Sequence, residues 1–205
     1  MEHSVRSSLA TLLFVLATSP ILHSQERSTP FAVEQGVVQM RLVMGSVVLK
    51  MTLHFDRYGE RQLVSMTGDA IGRTVDMMNL DQDGTRTMWD NTTRHGVRLR
   101  LTVPPLGPLE MLSGITLGDD PSNKKRAIDS ATILDRSCQG TEVIANGVVL
   151  RLWRWRGIPL RVRLKGDNTE VQLDATSIDM SVKVDEKVFS IPPGLKFDDK
   201  TGASH

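Results

Sequence analysis

Three histidines follow the first two dozen residues: His54, His95 and His205. None has a second histidine or a cysteine at metal-binding spacing, and no Gly-x-Ser-x-Gly elbow offers a nucleophile. His54 falls on the polar face of an alternating stretch and reads as a solvated surface side chain. Asp81-Gln82-Asp83-Gly84 resembles the start of a calcium loop. Thr92 stands where the bidentate acid would have to be, so the stretch reads as a hairpin turn. Asn91-Thr92-Thr93 is a glycosylation sequon, which means little if the source is bacterial. Cys138 is the lone cysteine, with no base beside it in sequence, and reads as a small buried residue. The acids are scattered, and no pair suited to glycosidase chemistry stands out. We therefore expect a protein that is not an enzyme, with no cofactor and no metal.

Two features remain that could bind rather than react. Trp153-Arg154-Trp155-Arg156-Gly157-Ile158-Pro159 interleaves aromatic and basic side chains, a pattern that stacks on sugars or single-stranded nucleic acid. A net charge of +1 gives no basic footprint for nucleic acid, which we exclude as a partner. Alternation puts Trp153 and Trp155 on one strand face with Arg151, and Leu150, Leu152 and Arg154 on the other. The stretch reads mainly as a hairpin, with ligand contact by the two tryptophans as the alternative. The second feature is methionine. Ten occur against one tyrosine and five phenylalanines, and eight of the ten lie in the first half of the chain. Methionine is flexible and polarisable, so it fills irregular cores and also lines adaptable apolar surfaces.

The elements that would position these residues are strands. Val38, Met40, Leu42 and Met44 share one face of a run with period two. Val47, Leu49, Met51, Leu53 and Phe55 share one face of the next, opposite Val48, Lys50, Thr52, His54 and Asp56. Met44-Gly45-Ser46 joins the two into a hairpin. "RQLVSM", "GRTVDMMNL", "TRTMW" and "VRLRLTV" continue the pattern. Residues 106–114 break it and predict a short helix or apolar loop that could start at Pro108 and stop at Gly114. "AIDSATILD" is ambiguous between helix and strand. "GVVLRLWRW", "IPLRVRLKG" and "TEVQLDATSIDM" read as long strands and "KVFSIPPG" as a short edge strand. Strands of about ten residues span roughly 33 Å, which favours one large curved antiparallel sheet over a compact sandwich.

Residues 1–24 read as a signal peptide, with Arg6 before an apolar run and Ser24 before Gln25. Nothing later resembles a transmembrane segment, and one cysteine cannot form an internal disulfide. We expect export to a bacterial periplasm or envelope. The expected organisation is 1–24 signal peptide, 25–33 N-terminal extension, 34–197 a single domain and 198–205 a disordered tail, in a monomer.

Several stretches combine into a resemblance. Leu53-His54-Phe55-Asp56-Arg57-Tyr58-Gly59-Glu60 and Trp153-Arg154-Trp155-Arg156-Gly157-Ile158-Pro159-Leu160 resemble patterns of an uncharacterised family of secreted bacterial proteins. Ala175-Thr176-Ser177-Ile178 and Phe189-Ser190-Ile191-Pro192-Pro193-Gly194 match it in order. That family is similar in fold to the LolA/LolB-like lipoprotein-carrier superfamily. The resemblance implies a mainly β (α+β) half-open barrel, with one or two short helices covering an apolar concave side. It also implies a carrier of lipid or lipoprotein acyl chains. The expected lining is Met40, Leu42, Met44, Leu49, Met51 and Leu53, with Leu109, Met111 and Leu112 from a plug at 106–114, and Trp153 and Trp155 as further contacts. The alternative is a structural or interaction module of the cell envelope with a filled core and no ligand.

Overall fold

The structure is a computed structural model that describes residues 29–101, 124–145, 147–166 and 170–199. Twelve strands form one sheet. In chain order they are β1 (Gly36–Met44), β2 (Val47–Asp56), β3 (Arg61–Ala70), β4 (Arg73–Gln82), β5 (Thr85–Asp90) and β6 (His95–Arg100). The second half supplies β7 (Lys124–Ile133), β8 (Arg136–Ala145), β9 (Val148–Trp155), β10 (Ile158–Lys165), β11 (Glu170–Asp179) and β12 (Lys196–Asp199). The strand order is β12-β6-β5-β4-β3-β2-β1-β11-β10-β9-β8-β7. All neighbours are antiparallel except β12, which runs parallel to β6, so the sheet is mixed. Its end strands β12 and β7 do not pair, and the sheet is open. β6 and β7 follow each other in the order of the described strands but lie near opposite edges of the sheet.

The ambiguous "AIDSATILD" is strand, within β7. The expected helix over 106–114 lies outside the described residues, as does the expected signal peptide. Among the described residues the helical segments are two 3-10 turns, Arg57–Gly59 and Glu186–Phe189. The second corrects the expectation of a strand at "KVFSIPPG". The Asp185 side chain accepts a hydrogen bond from the Lys187 amide at 2.9 Å, which starts a turn there. Pro192 and Pro193 have no N–H to give to a ladder, and pairing resumes only at Lys196.

Period two is obeyed along the strands, so each side of the sheet has its own composition. One face carries Val38, Met40, Leu42, Leu49, Met51, Leu53 and Phe55, each at most 2% exposed. Leu150, Leu152, Val162, Leu164, Val171 and Leu173 continue this core across β9, β10 and β11. The other face is covered over β3–β6 by the segment that follows β11. There Val184 and Phe189 pack with Leu63, Leu80 and Trp89 in a second, smaller cluster.

Residues 29–34 form a strap that curls the sheet. The Phe31 amide donates to Tyr58 O at 2.9 Å and the Ala32 amide donates to Arg156 O at 3.0 Å. Tyr58 and Arg156 occupy the β2–β3 and β9–β10 turns, on strands well separated in the sheet. From β2 to β10 there are three strand spacings, so on a flat sheet even the nearest edges of those turns would be about 14 Å apart. Two consecutive residues can bridge them only if the sheet bends toward the face that carries Phe55. The Phe31 ring meets the Phe55 ring edge-to-face at 4.8 Å. Both turns contain a glycine at positive φ, Gly59 at 84° and Gly157 at 85°. A Cβ at Gly59 would run into the Phe31 ring, and one at Gly157 into the Pro30 carbonyl. The expected extension at 25–33 thus contributes Phe31, 2% exposed, to the core.

Two stability outcomes follow from these contacts. Phe31→Ala should cost about 3 to 5 kcal/mol, measured as a lower urea midpoint, because it empties a site bounded by two turns. Ile71 is 95% exposed and sits at φ 50° in the β3–β4 turn, a backbone region that penalises β-branched residues. Ile71→Asn should stabilise by about 1 kcal/mol, since Asn-Gly suits that turn; an unchanged or lower midpoint would count against the strain.

Candidate functional site

The register lines up methionines across the apolar face. Met40 is opposite Met51, Met51 opposite Met66, and Met66 opposite Met77, a row that crosses β1, β2, β3 and β4. Burial changes along it. Met40 and Met51 are 2% and 1% exposed, whereas Met66 and Met77 are half-buried. Val75, Met88, Val97 and Leu99 lie in β4, β5 and β6 and are also half-buried. The face is therefore closed around β1 and β2 and more accessible toward β4.

Buried polar groups interrupt the apolar surface on this accessible side. Asp81 and Arg86, opposite each other on β4 and β5, form a two-pronged ion pair with both contacts at 2.7 Å. Gln62 donates from Nε2 to Gly59 O at 2.6 Å, but its Oε1 accepts no hydrogen bond from the described residues, and neither does Asn79 Oδ1. Each residue is 1% exposed. Arg154, on the same face of β9 as Leu150 and Leu152, has no acid partner among the described residues. Burial pulls its guanidinium below its ordinary pKa.

The expected lining residues divide. Met40, Leu42, Met44, Leu49, Met51 and Leu53 do share the apolar face. Leu109, Met111 and Leu112 lie outside the described residues. Trp153 and Trp155 alternate with Leu152 and Arg154 and point to the opposite face, where Trp153 is across from Arg161. The two tryptophans and the methionine row are thus on different sides of one sheet.

Residues that could do chemistry are occupied structurally. Cys138 is fully buried, its thiol donates to Arg136 O at 3.4 Å, and desolvation pushes its pKa up, which suppresses the thiolate. Asn91 of the sequon accepts from Trp89 Nε1 at 2.9 Å and donates to Asp76 at 3.1 Å. Asp83 and Gly84 form the β4–β5 turn with positive φ, as a hairpin requires. Among the described residues no three His, Cys, Asp or Glu side chains could hold a metal. A cleft of about 390 Å³ opens beside the strap, with Glu34, Asp56, Tyr58 and Glu60 in its wall. Asp56 is engaged by Arg61. No described helix is long and apolar enough to cross a membrane.

His54 departs from expectation. It is half-buried, not solvated, and desolvation lowers its pKa. It sits between Val37 and Leu63 in the register, at the margin of the smaller cluster.

A single curled sheet with one apolar face defines a half-open β fold. No family model and no curated protein matches the sequence. Solved structures do share the fold. An uncharacterised conserved protein from Thermus thermophilus is 8% identical, with TM-score 0.56, over 82% of this chain and 92% of that one. MucB is 9% identical, with TM-score 0.51, over 82% of this chain and 61% of that one. PNGF-II reaches TM-score 0.50 at 9% identity over 83% of this chain, but the chain spans only 31% of its length. The similar structures also include a LolA superfamily protein from Nitrosomonas europaea, 11% identical over 78% of this chain and 92% of that one, with TM-score 0.39.

The lowered pKa of His54 has a direction. The unfolded chain, with an ordinary value near 6.5, takes up the proton before the folded one does. Stability should therefore fall as pH drops below about 6.5, and His54→Gln should flatten that part of the profile. Urea midpoints measured between pH 5 and 8 test this, and identical slopes for both proteins would refute it.

Proposed function

We propose that the protein is a non-enzymatic component of the bacterial envelope that binds a hydrophobic ligand, such as a lipid or lipoprotein acyl chain, on the apolar face of its sheet. The row Met40–Met51–Met66–Met77 carries this reading, because it runs from a closed core to an accessible edge. A plain core would not need polarisable, flexible side chains at the margin where the face opens. Methionines there can repack around guests of different shape. An acyl chain lying along the row would contribute about 0.8 kcal/mol for each methylene it buries. Leu42, Met44, Leu49 and Leu53 form the floor beside the row. The reading of residues 1–24 as a signal peptide supports export to the periplasm.

A second reading is favoured by one observation. Leu42, Leu53 and Leu173 are fully buried, as in a filled core that serves an interaction module with no guest.

The two separate in one experiment. The protein is purified from a bacterial periplasm, examined by native mass spectrometry for bound lipid, and titrated with a dansyl-labelled undecanoic acid. Binding is expected, and Met66→Asp with Met77→Asp should weaken it at least about tenfold while circular dichroism stays native. No co-purified lipid and no titratable fluorescence would leave the interaction module as the function.

A further inference from the structure

The side of the sheet opposite the methionines carries charges that the register orders into rows over β2, β1 and β11 to β7. One cross-strand row reads Lys50, Arg41, Asp174, Arg161 and Trp153. The next includes Val48, Val43, Arg163, Arg151, Glu142 and Arg126 on these strands. A third reads Glu170, Lys165, Val149, Ile144 and Lys124. These rows hold eight basic and three acidic residues, in a chain whose total charge is only +1. These three rows are thus far more basic than the chain as a whole, while Asp69 and Asp76 lie beyond them on β3 and β4.

Two of the three acids anchor the arginines. Glu142 Oε1 accepts from Arg126 Nε and Oε2 from Arg151 Nε, both at 2.7 Å. Its side chain is 2% exposed beneath two arginines that are 69% and 53% exposed. Asp174 accepts from Arg161 at 2.9 Å and from Arg163 at 2.8 Å. Each carboxylate fixes two guanidiniums on the sheet surface, which lowers the ordering cost of meeting a further anion. Arg41 and Lys50 are exposed and pair with no acid among the described residues. At one end of the face the guanidiniums of Arg136 and Arg156 lie 4.9 and 5.1 Å from the centre of the Trp155 ring. Elsewhere on it, Val48 and Ile144 are 44% and 37% exposed.

We propose that this face docks the protein on an anionic phospholipid bilayer. A surface that follows the bent sheet for about 29 Å of arc, with fixed arginines, partly exposed tryptophans and solvent-facing aliphatics, matches a headgroup layer that offers negative charge and an apolar boundary together. A soluble polyanion would use the charge but give Val48 and Ile144 nothing to enter. Curvature is no obstacle, because long basic side chains and a screening length near about 8 Å extend the reach of the face. The inference is independent of any ligand on the methionine side.

The test is co-sedimentation of the mature protein with phosphatidylcholine vesicles, with and without phosphatidylglycerol. Binding is expected only with phosphatidylglycerol, and should weaken as salt rises. Each base near such a surface is worth about fivefold in affinity. Arg41→Gln with Lys50→Gln should therefore lose at least about tenfold, and Lys124→Gln with Lys165→Gln a similar factor. Arg73→Gln, next to the β3–β4 turn and outside these rows, should change nothing. Equal sedimentation with both vesicles, or none with either, would overturn the proposal. So would full binding by both double variants, or tighter binding to soluble dextran sulfate than to the vesicles.

Discussion

Two main-chain hydrogen bonds, from consecutive residues Phe31 and Ala32 to turns on well-separated strands, set the shape of this molecule. A single-layer sheet cannot bury one face while it stays flat, since each apolar side chain would look into water. Bending brings Phe55 of β2 and the β9–β10 turn within reach of one short strap. The two glycines at φ near 85° make that approach possible, because any side chain at either would occupy the space of the strap. The near-complete burial of Val38, Leu42 and Leu53 goes with this curvature.

Once the sheet is bent, its two faces follow different rules. Toward the inside, apolar residues dominate, and the polar ones that remain are costly. The Asp81–Arg86 pair meets its desolvation cost with two short charge-assisted bonds. Gln62 Oε1 and Asn79 Oδ1, in the strands that carry the flexible methionines, have no such compensation among the described residues. Toward the outside, charge is tolerated because water is near. Hydrogen bonds from Arg151 and Arg126 hold the Glu142 carboxyl below its usual pKa. At Asp174 burial opposes ionisation, but the bonds from Arg163 and Arg161 outweigh it and the carboxyl again titrates low. Both acids stay ionised over the whole physiological range, and the arginines they fix stay in place with them.

The strands were legible in the sequence because half-burial imposes period two locally, and no partner need be known to see it. The hairpin at Met44-Gly45-Ser46, the turn at Asp83-Gly84 and the opposed faces of Trp153 and Leu152 could be read this way. What depended on pairing could not. The row of four methionines runs from Met40 to Met77 and exists only through the register of three ladders. The basic face is hidden by the same fact, because summed charge is +1 and only register shows that the bases gather on one side. The strap was missed for another reason. Residues 29–33 have neither period nor length, and their importance comes from two turns, at Tyr58 and Arg156, that are remote in sequence.

The separation of Trp153 and Trp155 from the methionines changes how the two surfaces relate. Had all of them lined one cavity, a single site would account for the unusual composition of both stretches. They lie back to back across one layer of backbone, so any guest on the methionine side is held on the opposite side of the sheet from the arginines. A protein docked through its arginines would then present its apolar face away from the headgroups, toward solvent or a second partner. The accessible edge toward β4, where Met66 and Met77 are half-buried, would be the route by which a chain enters or leaves. That route lies toward the margin of the layer, since β12, β6, β5 and β4 are the four strands at that end of the sheet. The same single layer thus keeps the rows of charge and the row of methionines on opposite sides. A substitution that disturbs one should leave the other intact unless it also releases the strap.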